Sequence, residues 1–471
     1  MVSMCDMTLS RIFSVGGRST PPTDETPAEQ PSVIESLDVS SDDEDDSRHG
    51  WVIVGCVFAI NTVTWGMNTT YGVYISYYIA HDYFEGATYL RYAFVGGLSV
   101  AFAWFAAPFV NYLTKTFGIR VPMAAGVVAV CLGQCLAGIS RKFGAFLFFQ
   151  GLLFGLGLGL TQVPSQPVLP LWFDKRLSLA QGIATCGSGF GGLIFANTTR
   201  AALESIGVRY TLLLNGCISA VVLVPSIMFL KDKGKKVEAR TEPLQLHWLW
   251  HKNFFWVWTW GAFGVMGYFI ALYSNASYAT DGLGLSQQQG AALQSILAAG
   301  QVLGRPLVGQ ALDTAGRLNM AIAANILAAL SCLVIWLPAR SFAVLAVFSI
   351  MQGGFGGTIL CVIAPVATSA VGVIDVGSAL AMFWLMMVLP ATFAQPAAVA
   401  LIDYSRHTLK REGPDVYQAL FALSAAMLCG GKFAIQGNFK IFKEDIKAFK
   451  KQLLACSLGI YSYSKGSFKD M

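Results

Sequence analysis

The stretch Gly300–Leu318, GQVLGRPLVGQALDTAGRL, begins as an apolar helix and ends in a tight, charged turn. Gly309 lets two helices approach closely, Gly316 supplies the turn, and Asp313 and Arg317 can pair or cap helix ends at a membrane surface. Upstream, Arg305 is set among apolar residues with no carboxylate near it in sequence. An ionisable group inside a hydrophobic span costs several kcal/mol and marks a candidate functional site.

Outward from this stretch, the composition is that of a membrane protein. Of 471 residues, 55% are hydrophobic and only 13% charged, whereas soluble domains carry about 25% charged residues. Apolar stretches of about 20–28 residues alternate with short polar breaks from Trp51 onward. They predict an all-α polytopic chain with spans at 51–79, 87–111, 119–139, 143–170, 177–199, 208–230, 253–279, 287–311, 318–338, 341–369, 376–402 and 415–437. Lys432 interrupts the last of these after about sixteen residues, short of the roughly twenty a span needs. Either Lys432 snorkels while Phe433–Gly437 completes the span, or the reading frame there carries a misread intron.

The longest polar interval, Lys231–Lys252, divides the chain. Residues 1–48 read as a disordered acidic tail, 49–230 as a six-helix half, and 231–252 as a basic loop. Residues 253–437 form the second half and 438–471 a basic tail. Roughly nineteen Lys and Arg fall on the side of both termini and about eight on the other, so both termini are expected in the cytosol. An internal repeat supports the division. At an offset of 198, Gly66 falls on Gly264, Pro108 on Pro306, Gly118 on Gly316, Gly155 on Gly353, Gly159 on Gly357 and Pro167 on Pro365.

Other classes find little support. The net charge of +5 is split between an acidic tail and basic loops, which does not point to nucleic acid. The ten cysteines are scattered and lack metal-ligand spacing, so no metal and no cofactor is expected. Nothing in the sequence groups residues for nucleophilic or acid–base catalysis, so the chain is not expected to be an enzyme.

Two motifs carry a resemblance. Gly309-x-x-x-Asp313-x-x-Gly316-Arg317 resembles the inter-helix loop signature of the major facilitator superfamily. Trp172-Phe173-x-Lys175-Arg176, followed by Ala180-x-Gly182-Ile183-Ala184-x-x-Gly187-Ser188, resembles the monocarboxylate-transporter family in its fungal branch. Asn61, Trp65-Gly66, Tyr71-Gly72-Val73 and Gly353, Gly357 and Pro365-Val366 are similar to that branch too. The resemblance implies twelve transmembrane helices in two pseudo-symmetric halves and alternating access to a midplane cavity. It also implies a small anionic substrate. Read physically, Lys175 and Arg176 anchor the inner face, and the glycines that follow permit close packing.

The sequence departs from that family at informative places. Thr69 stands where animal lactate carriers have a lysine, and Gln301 where they have an aspartate four residues before the arginine. Arg305-Pro306 is kept. No Asp, Glu or His lies in the middle of a predicted span, so a side-chain proton relay has no place.

Two readings of Arg305 are open: snorkelling to the inner interface, or facing the cavity to pair with an anion. The other candidate substrate contacts are Asn61, Asn68, Tyr71, Gln294, Gln301 and Gln395. The expected function is secondary active or facilitative transport of a small organic anion. The alternatives are efflux of a fungal secondary metabolite and, from another class, a non-transporting sensor. The expected partners are the substrate and the lipid bilayer, the expected state a monomer, and the expected location the plasma membrane, with the vacuolar membrane as alternative.

Overall fold

A computed structural model describes residues 48–87, 89–231 and 252–436. Apart from their junctions, the acidic tail, the central basic loop and the basic C-terminal tail expected from the sequence lie outside the described residues. The described residues are helical throughout, with no strand.

Helix α1 runs over Arg48–Ala80 and is broken at Thr64 and Thr70. The hydroxyls of Thr64, Thr69 and Thr70 donate to carbonyls three or four residues back, the local competition that bends helices. Helix α2 consists of Tyr89–Phe105 and Ala107–Phe117, bent by 42°. Helices α3 (Arg120–Ile139) and α4 (Phe143–Trp172) follow. The single helical stretch Leu177–Phe229 contains α5 (177–206) and α6 (208–229), joined at Gly207 with φ 73°. Asn215 reaches back across this joint to Thr199 at 3.5 Å, so the chain reverses there. One residue in the left-handed region, where glycine alone is unstrained, therefore replaces the eight-residue loop expected between 199 and 208.

The second half repeats the plan. Helix α7 covers Lys252–Ser277 with a π-helical end at Tyr278–Gly282, and α8 covers Gln287–Ala315. Helix α9 (Asn319–Trp336), α10 (Phe342–Thr368), α11 (Asp375–His407) and α12 (Gln418–Gln436) complete the fold. Helical backbone continues from α10 into α11 without a loop. Helix α12 runs through Lys432 rather than stopping before it.

Seven helical stretches are long and apolar enough to cross a bilayer, eight if bent α2 counts as one span. Helix α8 is not among them, although it is 29 residues long. Its six glutamines, together with Arg305, lower its hydropathy, so one of the least lipid-like helices is the one carrying the buried cation.

The repeat is visible in three dimensions. A side chain on Gly155 would overlap the backbone of Ser99, and one on Gly353 would overlap that of Leu297, 198 residues further on in each case. Gly118 and Gly316 end α2 and α8 with φ of 81° and 96°. Two expectations change here. Helix α2 continues past 111 to Phe117, and α8 past 311 to Ala315. Asp313 therefore lies in the last turn of α8 rather than in the connecting loop, because its carboxylate is held by a neighbouring helix.

The halves meet along two seams, α5 against α8 and α2 against α11. The first is tight because Gly182 faces the Arg305 carbonyl, Gly189 faces Ala298 and Gln301, and Gly309 faces the Ser178 carbonyl. The second carries an aromatic plug: Trp104 of α2 lies 5.1 Å from Trp384 of α11 and stacks on Phe269 of α7 at 6.1 Å. Trp384 Nε1 donates to Gln166 of α4 at 2.8 Å, satisfying its one polar atom.

Candidate substrate site

Arg305 is in the fifth turn of α8, one residue before Pro306, on the face that packs against α5. It is 3% exposed and is the only charged side chain fully buried among the described residues. It does not reach the surface, so snorkelling does not describe it. Nη1 donates to the Thr185 carbonyl at 2.6 Å and to Ser188 Oγ at 2.6 Å, both on α5. Nε has no acceptor. Among the described residues no carboxylate pairs with this guanidinium. A buried cation without a counter-ion is destabilising by several kcal/mol even when partly hydrogen-bonded, so the site is electrostatically poised for an anion.

Gln301, one helical turn earlier, is buried, and its Oε1 accepts from Ser188 Oγ at 3.4 Å. Gln301, Arg305 and Ser188 thus form one cluster across the seam between the halves. The Tyr268 hydroxyl of α7 stands beside the guanidinium, and Gly357 of α10 closes the space behind both.

The other candidates are not gathered here. Asn61 donates to the Val57 carbonyl at 2.9 Å and accepts from Gln162 at 3.1 Å, within the first half. Asn68 bonds Ser99 at 2.8 Å, and the Tyr71 hydroxyl bonds the Tyr92 carbonyl at 3.2 Å. Asn68 and Tyr71 line a separate cavity of about 10 Å³ with Gln134, Gln150 and Asn215, room for about one water. Gln294 donates to the Leu272 carbonyl at 3.1 Å, and Gln395 is half-buried on α11.

The loop motif forms a closure at one end of the seam. The Asp313 carboxylate accepts from the backbone N–H of Ser178 at 3.0 Å and of Leu179 at 2.8 Å, capping the free N-terminus of α5. Arg317 donates to the Asp174 carbonyl at 3.0 Å. Lys175 and Arg176 are exposed beside it.

Three partners of Arg305 were not singled out by sequence. Ser188 stood inside a quoted motif but read chiefly as packing. The Thr185 carbonyl is a backbone group and has no signature. Tyr268 is one of sixteen tyrosines, and nothing local distinguishes it.

Residues 55–300 match the profile of the Major Facilitator Superfamily. The chain is 30% identical to the "Probable transporter MCH2" of Saccharomyces cerevisiae over 410 residues, 85% of each chain. It is 24% identical to "Monocarboxylate transporter 10" of Danio rerio over 381 residues, 75% of this chain and 72% of that protein. Among solved structures, FucP, a Major Facilitator Superfamily transporter in the outward conformation, superposes with a TM-score of 0.63 at 14% identity. That match covers 82% of this chain and 99% of FucP.

Proposed function

The chain belongs to the Major Facilitator Superfamily, in the fungal branch of its monocarboxylate type, and we propose that the anionic group of its substrate is received by Arg305. The protein is a multi-pass membrane transporter. Its substrate is a small organic anion of the monocarboxylate kind. The observation that carries this reading is the single buried cation, bonded at one edge to neutral groups and facing no carboxylate. A planar guanidinium presents two parallel N–H donors per edge, which fits a carboxylate and not a neutral solute.

Alternating access follows from the two halves, 49–230 and 253–437, rocking about the seam that holds Arg305. The end of that seam marked by Asp313 is closed. Both termini are cytosolic, the protein works as a monomer, and it resides in the plasma membrane. Asn61, Asn68, Tyr71, Gln294 and Gln395 support the fold of each half around the site, and Gln301 orients Ser188 toward Arg305.

The test is uptake into vesicles of a panel of labelled carboxylates and host metabolites, by the unmodified protein and by Arg305→Lys. The expected result is saturable uptake of at least one carboxylate, strongly impaired in Arg305→Lys despite normal folding and delivery. Undiminished transport by Arg305→Ala would overturn the assignment.

A further inference from the structure

The guanidinium of Arg305 is unevenly partnered, with the Tyr268 hydroxyl bonded to it. Nη1 is taken by the Thr185 carbonyl and Ser188 Oγ, while Nε is buried with no acceptor. Nη2 points toward Gly357 of α10. A Cβ placed there would lie 3.1 Å from Nη2, 3.1 Å from Tyr268 Cζ and 3.3 Å from the Tyr268 hydroxyl. One residue earlier, a Cβ on Gly356 would lie 3.1 Å from Tyr268 Cδ2 and 2.6 Å from Gln352 Nε2.

The ring of Tyr268, 2% exposed, therefore lies along two consecutive glycines of α10. A donor without an acceptor stands at each end of it: Arg305 Nε at the hydroxyl end and Gln352 Nε2 at the other. Gln352 Oε1 is already engaged, accepting from Ser331 at 3.3 Å. The glycines sit at the end of a π-helical turn, Gln352–Gly356, a local widening of α10 that recurs at functional sites.

Each buried N–H without a partner costs about 1–3 kcal/mol, so two of them flanking one ring need a physical reason. Both are donors; what the cluster lacks is acceptors. A carboxylate accepts at both oxygens and donates nothing.

We infer that the substrate carboxylate docks side-on against the Nε–Nη2 edge of Arg305, and that the Tyr268 hydroxyl is its third donor. Gly356 and Gly357 let the Tyr268 ring lie close against α10, which holds its hydroxyl beside Nη2. Beside a cation, a phenol turns its oxygen toward the guanidinium and its proton away from it, toward the anion. Tyr268 is then the specificity-determining residue that completes the anion site from α7. This rests on the reading of Arg305 given above.

The experiment uses the purified full chain in proteoliposomes and measures initial uptake of labelled pyruvate and labelled benzoate. Tyr268→Phe, which keeps the ring, is expected to raise KM about tenfold or more with maximal velocity within about twofold, the signature of a lost charge-assisted hydrogen bond. A purely structural tyrosine would instead lower maximal velocity and protein recovery together. Gly357→Ala puts a methyl 3.1 Å from Nη2 and the Tyr268 ring, displaces the hydroxyl, and is expected to raise KM for both probes. Arg305→Lys is run alongside to separate the two readings. If Arg305→Lys is impaired while Tyr268→Phe keeps its KM, the Tyr268 assignment is overturned and the Arg305 reading stands. If Arg305→Lys is unimpaired, or the unmodified protein takes up neither probe saturably, both are overturned. If Tyr268→Phe fails to fold, Gly357→Ala decides: an unchanged KM for both probes overturns the Tyr268 assignment.

Discussion

The two seams between the halves are related by the 198-residue repeat, yet they hold opposite chemistry. In the α5–α8 seam stand Arg305 and Asp313; 198 residues earlier, in the α2–α11 seam, stand Ala107 and Lys115. The backbone repeats closely, down to the positive φ of Gly118 and Gly316. The difference lies in what each seam's partner helix offers. Helix α5 begins at Leu177 with free backbone N–H groups, and Asp313 caps them. Helix α11 continues from α10 without a break, so it has no free N–H groups to cap. Lys115 donates instead to Ser378 Oγ at 2.7 Å, with Asp375 nearby. One seam thus joins a charge to a helix end and buries a cation. The other sets a half-buried lysine near Asp375 beside the Trp104–Trp384 plug. Only the first holds a fully buried cation among the described residues.

The sharpest way to break this comparison is to neutralise the buried cation. Arg305→Met should abolish carboxylate uptake and also raise the melting temperature, because it removes an uncompensated charge. Such replacements stabilise by about 1–4 kcal/mol in favourable cases. Ser188 still donates to the Thr185 carbonyl at 3.1 Å without it. A marked fall in melting temperature would mean that Arg305 serves as a structural latch and not as an anion site.

Next in size is the cap. Asp313→Asn keeps the shape of the side chain but loses the charge facing the α5 N-terminus. It should weaken closure by about 1.5–3 kcal/mol, the range for hydrogen bonds to a charged group. Labelling of a Ser178→Cys variant by an impermeant maleimide reads this directly, and should speed up when Asp313→Asn is added. The equivalent change in the other seam, Lys115→Met, should matter less, by about 1 kcal/mol or under, since the charge of a half-buried lysine is partly screened by solvent. If Lys115→Met opens the protein as much as Asp313→Asn, the asymmetry drawn here is wrong.

The smallest expected effect is on pH dependence. Among the described residues no Asp or Glu is fully buried, so a pH step across vesicles at fixed anion concentration should leave uptake nearly unchanged. Gln301→Asp places a titratable group one turn from Arg305. Above the pKa of that carboxyl, its charge competes with substrate for the guanidinium, so uptake in the variant should fall as pH rises and recover as pH falls. Proton-driven accumulation by the unmodified protein would show that coupling uses a carboxylate at a helix end.

Much of the fold was legible because helix spans are local. Twelve apolar stretches, the repeat offset and the solitary Arg305 each need only a window of sequence. Boundaries were less legible where a tertiary partner extends a helix, as Asp313 does for α8, or where one glycine replaces a loop, as Gly207 does. The polar residues Asn61, Asn68 and Tyr71 are also local in kind, but their partners Gln162, Ser99 and Tyr92 place them inside the first half rather than beside Arg305. Residue type and helical period do not say which neighbour satisfies an amide.

What the sequence by itself determined is an all-α membrane transporter of two repeated halves, with an arginine set inside its eighth apolar stretch. Hydropathy and charge are properties of consecutive residues, and a bilayer reads them directly. Which nitrogens of that cation are partnered was decided only by tertiary structure. Arg305 meets Thr185 across 120 residues of chain, and Tyr268 and Gly357 converge on it from two other helices. Hydrogen-bond satisfaction is settled through space. The packing of α5, α7 and α10 around α8 therefore leaves Nε of the guanidinium without an acceptor.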